Sequence, residues 1–292
     1  MGNEFATWHR ARRTTVIVAV LFVRYIACVS LLVLFDAGGL AWADAAPKRL
    51  LLLGQAPDGH PPTTHEYLAG LKILGFCLKQ VPGLEVQIEQ ADEPWIEGPA
   101  KLERADGCVL FLSEGAKWAD ADPRRYEAFT RLAARGGGLV GLHWGIGTKD
   151  AEHIEPYLRL LGGCHGGPDR RYTVIETQWQ ATGGHPITTA VNARLKVRDE
   201  FYFRLKLTQP EGAIEPIVRV PIEGQDETVA WTWQRPDGGR SFGFSGLHFH
   251  DNWRHEAYRR LVSQAVLWTL KLPVPDAGLP VDVPDEILEL AR

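Results

Sequence analysis

Residues 138–145 read Gly-Leu-Val-Gly-Leu-His-Trp-Gly, and this octet constrains the fold more than any other stretch of the chain. A short apolar run bounded by glycines reads as a strand buried on both faces. It runs directly into Gly141-Leu142-His143-Trp144-Gly145, the spacing of a nucleophile elbow, in which a strand turns sharply at its carboxyl end and presents the central side chain above the sheet. The central residue of such a turn sits in strained backbone, and the flanking glycines relieve the crowding. Here the seat holds His143. An imidazole does not form the acyl-enzyme that Ser or Cys forms in that seat. It can be a general base, a metal ligand or a polar contact to substrate.

The surrounding pattern alternates strand and helix. Lys48–Gly54 is a continuous apolar run, and Thr64–Gln80 follows with helical spacing of Leu68, Leu71, Ile73, Leu74 and Leu78. Leu84–Gln90 alternates as a strand, and Asp106–Leu112 reads as another buried one. Pro123–Ala134 is a helix with Pro at its start and Gly136-Gly137-Gly138 after its end. Leu139–Leu142 then feeds the elbow. This order predicts an α/β fold: a doubly wound, mostly parallel sheet flanked by helices. After a helix at Asp150–Leu161 come short strands at Tyr172–Gln178, Arg198–Phe203, Pro216–Val220, Thr228–Trp233 and Ser241–Phe244, so the second half adds antiparallel strands. His255–Leu270 closes as an amphipathic helix, and residues 273–292 read as an extended tail.

The first 43 residues read as an export signal. Arg10, Arg12 and Arg13 precede an apolar stretch from Val16 to Phe35, and Ala41-Trp42-Ala43 offers a small-residue cleavage site. The alternative is a retained membrane anchor, against which Arg24 argues. Tyr25-Ile26-Ala27 before Cys28 makes a poor lipoprotein signal. The expected location is therefore periplasmic or extracellular, with membrane contact only through this segment if it is uncleaved. The formal net charge of −4 gives no electrostatic case for nucleic acid. Three cysteines remain after the leader, Cys77, Cys108 and Cys164; an odd number is not a disulfide framework. Cys77 and Cys108 fit core positions, and Cys164 falls in a loop, where a thiol is open to reaction.

Ligands of open α/β sheets bind beyond the carboxyl ends of the strands. Polar groups gather at such ends: His60 and His65 after the first strand, His143 at the elbow, and His248 with His250 after Ser241–Phe244. On a strand His248 and His250 would share a face; on a loop they need not. Asp199 and Glu200 alternate, so one of them is expected to point inward, and Glu200 is the choice; the competing reading is a surface ion pair with Arg198 or Arg204. His185 suits a structural turn, and His153 and His165 have no supporting context. Trp144, Tyr202, Phe249 and Trp253 lie beside the polar groups and suit the apolar faces of a sugar, whereas Trp231 and Trp233 share one strand face and read as core.

Together these segments resemble the trehalose-utilisation (ThuA-like) family, whose fold is that of class I glutamine amidotransferases. The resemblance rests on Leu51–Gly54 with the His60 loop, Gly136–His143, Leu161-Gly162-Gly163, His185-Pro186-Ile187, Asp199-Glu200-Phe201-Tyr202, Val229–Thr232, Gly246-Leu247-His248 and the helix ending in Trp268. It covers a domain of residues 48–272. It implies a role in disaccharide or oxidised-sugar catabolism with a small carbohydrate as partner, and no glutamine amidotransfer, because the elbow lacks Cys. In the first loop either His60 or His65 is the counterpart of the family's histidine.

The leading expectation is an exported hydrolase, lyase or isomerase acting on a sugar or keto-sugar. In it His143, His248 and Glu200 carry the chemistry, and His60, His65, Trp144, Tyr202 and His250 bind substrate. A divalent metal such as zinc on His143, His248 and His60 is a further expectation. The alternative is a non-catalytic carbohydrate-binding protein on a degenerate amidotransferase fold. A homodimer stays open.

Overall fold

The computed structural model describes residues 46–209 and 213–290. Residues 1–43, where the sequence leads to the expectation of an export signal, lie outside the described residues. Among those described, no helix is long and apolar enough to cross a membrane.

The chain runs β1 (Lys48–Gly54), α1 (Tyr67–Leu78), β2 (Leu84–Gln90), α2 (Gly98–Arg104), β3 (Gly107–Leu110), α3 (Gly115–Ala121), α4 (Pro123–Ala134) and β4 (Gly138–Leu142). It continues through β5 (Gly147–Thr148), α5 (Ile154–Leu161), β6 (Gly163–Gly166), β7 (Arg171–Ala181), β8 (Arg194–Phe203) and β9 (Lys206–Leu207). It ends with β10 (Ile214–Ile222), β11 (Gln225–Gln234), β12 (Arg240–Phe244), α6 (Glu256–Thr269) and α7 (Asp285–Leu288). Nine strands form one sheet in the order β2-β1-β3-β4-β12-β11-β10-β7-β8. The first five are parallel to their neighbours, and β11, β10, β7 and β8 continue the sheet antiparallel. The mixed sheet with a parallel core and added antiparallel strands is the architecture expected from the strand pattern.

Both faces of the parallel part are covered. Leu50 and Leu52 join one apolar cluster with α1 and α6, while Leu51 and Leu53 join another with α4 and α5. This explains why β1 reads as an unbroken apolar run rather than an alternation. Trp231 is fully buried and Trp233 nearly so, as core residues.

Several expectations need correction. The first helix begins at Tyr67, not Thr64, because Thr63 and His65 take positive φ angles of 71° and 54° that a helix does not accommodate. Cys164 is not in a loop: it lies in β6, fully buried, and burial pushes its thiol up to about 12, so all three described cysteines are buried and unreactive. The tail after Pro273 is extended only in part, since it buries Leu279, Val281 and Leu288 and ends in α7.

The elbow itself is jammed against its neighbours. A Cβ on Gly145 would lie 2.3 Å from the Leu110 carbonyl oxygen, and one on Gly115 would lie 2.2 Å from that of Gly145. Backbone cannot yield as a flexible side chain can. Gly145→Ala is therefore expected to cost about 2 kcal/mol or more and to lower Tm by roughly 4–8 °C in a calorimetric scan. An unchanged Tm would show that the turn is not held by this contact.

Candidate functional site

Three loops leave the carboxyl ends of parallel strands on one rim, and each brings one imidazole to the same point. His65 follows β1, His143 follows β4, and His248 follows β12. The His65 Nε2, His143 Nε2 and His248 Nδ1 atoms form a near-equilateral triangle: His65 to His143 is 3.0 Å, and His248 is 3.1 Å from each. All three side chains are buried. Strained backbone aims them. Non-glycine residues adopt positive φ at His65 (54°), at His143 (47°) and at Leu247 (78°), just before His248. Such conformations cost of order 1–3 kcal/mol each and persist where surrounding structure over-determines them, typically at functional sites. The first loop is also tied down by a bridge between Thr64 and Phe249 and by the His65 amide, which donates to the His248 carbonyl at 3.1 Å.

The outer partners of the imidazoles settle which nitrogens are bare. His143 Nδ1 donates to the Ser245 carbonyl at 2.9 Å, so its Nε2 carries a lone pair. His65 Nδ1 donates to Asp58 at 2.9 Å, and Asp58 also accepts from the Tyr67 hydroxyl at 2.7 Å. Burial alone would raise Asp58, but hydrogen bonds from His65, Tyr67 and His60 hold it well below the usual carboxylate range. It is an anion that fixes the His65 tautomer with Nε2 bare. Two unprotonated nitrogens thus face each other at 3.0 Å, the Tyr202 hydroxyl placed to donate to His143 Nε2 at 3.1 Å and His248 Nδ1 to His65 Nε2 at 3.1 Å. Burial, reinforced by the mutual proximity of the rings, pushes His143 and His65 down and His248 down to about 4, so protonation does not relieve the crowding at neutral pH.

That arrangement suits a cation. Nitrogens 3.0–3.1 Å apart could all lie within ligand distance, about 2.0–2.1 Å, of a single ion. These three residues are a group whose ligand atoms all lie within 4.8 Å of one another. The carboxylate behind His65 and the carbonyl behind His143 are the outer partners that metal-bound histidines ordinarily have.

Glu200 and Tyr202, on β8, stand beside the triangle. Glu200 Oε1 lies 3.7 Å from His248 Nδ1 and 4.0 Å from His143 Nε2. Burial and the neighbouring Asp199 push Glu200 up to about 7. The Tyr202 hydroxyl is 3.1 Å from His143 Nε2, and its ring lies between His143 and His165 with centroid separations of 4.7 and 4.0 Å. A cleft of about 150 Å³ opens here, lined by His60, His65, Trp144, Lys149, His165, Arg170, Tyr172, Glu200 and Tyr202.

The expected residues are therefore brought together in part. His143, His248, Glu200, Trp144, Tyr202 and His65 meet at the rim. His60 does not complete the triangle with His143 and His248; His65 stands there, and His60 stacks on it at 3.7 Å while bonding Asp58 at 2.7 Å. His250 faces away: the chain enters a 3-10 turn at His250–Arg254, and its Nε2 donates to the Leu288 carbonyl in the tail. Nor does only one of Asp199 and Glu200 point inward. Asp199 is fully buried on the other side of β8, accepting from the Leu247 and His248 amides at 2.7 and 3.1 Å and from the Tyr258 hydroxyl at 3.0 Å. It holds the loop that carries His248. Trp253 is core, against Phe111 and Gly70, and His185 caps a short turn as expected.

Sequence reasoning missed Asp58, Tyr67, His165 and Asp199. The spacing Asp58-x6-His65-x-Tyr67 contains the carboxylate, but only the loop's path brings it behind the imidazole. His165 has no local signal, since its position depends on β6 pairing with β5 beside the elbow.

The fold and rim define an α/β protein with a histidine-lined cleft at the carboxyl ends of its parallel strands. The family model described as ThuA, trehalose utilisation, matches residues 52–269. The chain belongs to that family. Among solved structures it is similar to a ThuA-like protein from Bacteroides uniformis at 15% identity, covering 78% of this chain and 93% of that one, with a TM-score of 0.59. It is also similar to a cold-adapted β-galactosidase from Rahnella sp. R3 at 10% identity, covering 78% of this chain and 32% of that one, with a TM-score of 0.50. The glutaminase domain of a Trypanosoma brucei CTPS is matched at 10% identity over 80% of this chain and 100% of that one, with a TM-score of 0.41. No curated protein matches the chain.

Proposed function

We propose that this protein is a metal-dependent enzyme that acts on a sugar or keto-sugar, exported by its N-terminal segment. The observation that carries the reading is the triangle of imidazole nitrogens 3.0–3.1 Å apart, two of them unprotonated and facing each other. The family's description, trehalose utilisation, supports a carbohydrate substrate, and the basic start, apolar stretch and Ala41-Trp42-Ala43 support export. His65, His143 and His248 would hold the ion. A divalent ion there supplies Lewis acidity to a hydroxyl or carbonyl oxygen. Glu200 stands beside it as the group that takes up or returns a proton at Oε1, the Tyr202 hydroxyl donates to substrate oxygen, and Trp144 covers an apolar ring face. This is the constellation of a hydrolase, lyase or isomerase; amidotransfer is not proposed, because residue 143 is not Cys. A passive sugar binder has no use for three strained, converging imidazoles.

Two outcomes follow. Dialysis of the purified protein against a chelator should lower its Tm and abolish conversion of keto-sugars, with Zn²⁺ or Mn²⁺ restoring both; unchanged Tm and turnover would contradict the proposal. Asp58→Asn, which frees the His65 tautomer, should weaken metal binding by about 10–100-fold in a competitive titration, and affinity equal to the parent's would remove Asp58 from the centre.

A further inference from the structure

The cleft above the histidines carries a charge that a neutral sugar does not need. Two cations line it, Lys149 and Arg170, against one carboxylate, Glu200. Lys149 is paired with Glu114, and Arg170 is the cation left for a ligand. Among the described residues no carboxylate pairs with Arg170. The adjacent Asp169 is engaged by Lys206 at 2.8 Å, and the guanidinium itself makes one donation, from Nη1 to the Gly167 carbonyl at 3.2 Å. This leaves most of its donor fork free, although the residue is half-buried. Lys149 is tied to Glu114 twice, its amide donating to one carboxylate oxygen at 2.8 Å and its ammonium pairing with the other at 3.5 Å. Arg170 is close enough to the site to depress His165, after burial the largest cause of that shift. His165 in turn stacks on Tyr202.

The remaining wall is aromatic. Tyr172 pairs in register with Tyr202, lines the same cleft, and is 58% exposed. A volume of about 150 Å³ is below the ~300 Å³ at which drug-sized pockets begin, so the occupant is small. We infer that the substrate is an anionic sugar, a sugar carboxylate or sugar phosphate, whose ring lies against Trp144 and Tyr172 and whose anionic group is taken by the Arg170 guanidinium. A guanidinium fork matches either anion in bidentate fashion. The inference rests on the cleft being the substrate site proposed above, and it adds the chemical class.

The test is calorimetric titration of the full-length, metal-loaded protein with gluconate, glucose 6-phosphate, inorganic phosphate and glucose. The expected result is binding of gluconate or glucose 6-phosphate at least about tenfold tighter than glucose, falling as salt is added. Arg170→Gln should reduce that preference at least about tenfold, with Arg170→Lys intermediate and metal content unchanged. The two acid arms decide between carboxylate and phosphate. Equal binding of neutral and anionic sugars overturns the inference. So does anionic binding that survives Arg170→Gln and vanishes with the metal, since the anion would then sit on the ion. Arg170-dependent binding in a protein that takes up no metal would sink the metal proposal and leave this one standing.

Discussion

His143→Ala is expected to abolish stable metal binding. The substitution removes one of three nitrogens held 3.0–3.1 Å apart, and two imidazoles on separate loops do not replace it. Loss of an outer partner alone costs a metal site 10–100-fold, so loss of a ligand should cost at least about 100-fold in affinity. The effect is separable from damage to the fold. In the parent protein, free metal at about 1,000 times its dissociation constant adds roughly 4 kcal/mol, a Tm rise of about 8–16 °C for a domain of this size. The variant should melt near the chelated parent and show no rise when metal is added. His248→Ala should behave alike. A full metal-induced rise in either variant would mean that the triangle is not the binding site.

Asp199→Ala should be the most destabilising single change near the site. Its buried carboxylate accepts from Leu247 N, His248 N, the Tyr258 hydroxyl and its neighbour's amide, Glu200 N, at 2.7–3.1 Å. Burial raises this acid to about 6, against the pull of the Leu247, Glu200 and Phe249 amides and the Tyr258 hydroxyl. Alanine leaves the donors buried without a partner and releases the Leu247 strain that aims His248. A loss of about 3–5 kcal/mol is expected. In thermal melts with chelator this is a drop of about 6–20 °C, with Asp199→Asn smaller because shape and one acceptor oxygen survive. A Tm within about 2 °C of the parent would show that the loop is held by other contacts.

The parts of this fold written in local patterns were legible. β1 is a continuous apolar run, β2 alternates, and α4 opens with Pro123 and is followed by three glycines; all three have the predicted bounds. α2 and α3 were not foreseen. Each is seven residues long and begins at glycine, and α2 buries only Gly98 and Leu102, too little for a helical stripe to register. At the site, His143 stood out because glycines frame it. The choice of His65 over His60 was not legible, since it depends on a reversal at Thr63–His65 that pairs Thr64 with Phe249. His250 was misread for the same reason: a two-residue spacing has meaning on a strand, and the chain turns there. Asp199 was hidden because its partners at Leu247 and His248 are backbone amides 48 and 49 positions away, which leave no side-chain signature.

Whether His65, His143 and His248 together bind a metal ion can be seen by anomalous diffraction from crystals of the protein grown with Zn²⁺, collected on both sides of the zinc edge. One strong peak is expected, about 2.0–2.3 Å from His65 Nε2, His143 Nε2 and His248 Nδ1. An absence of anomalous density there, with the three nitrogens drawn apart around a water, would contradict the metal site.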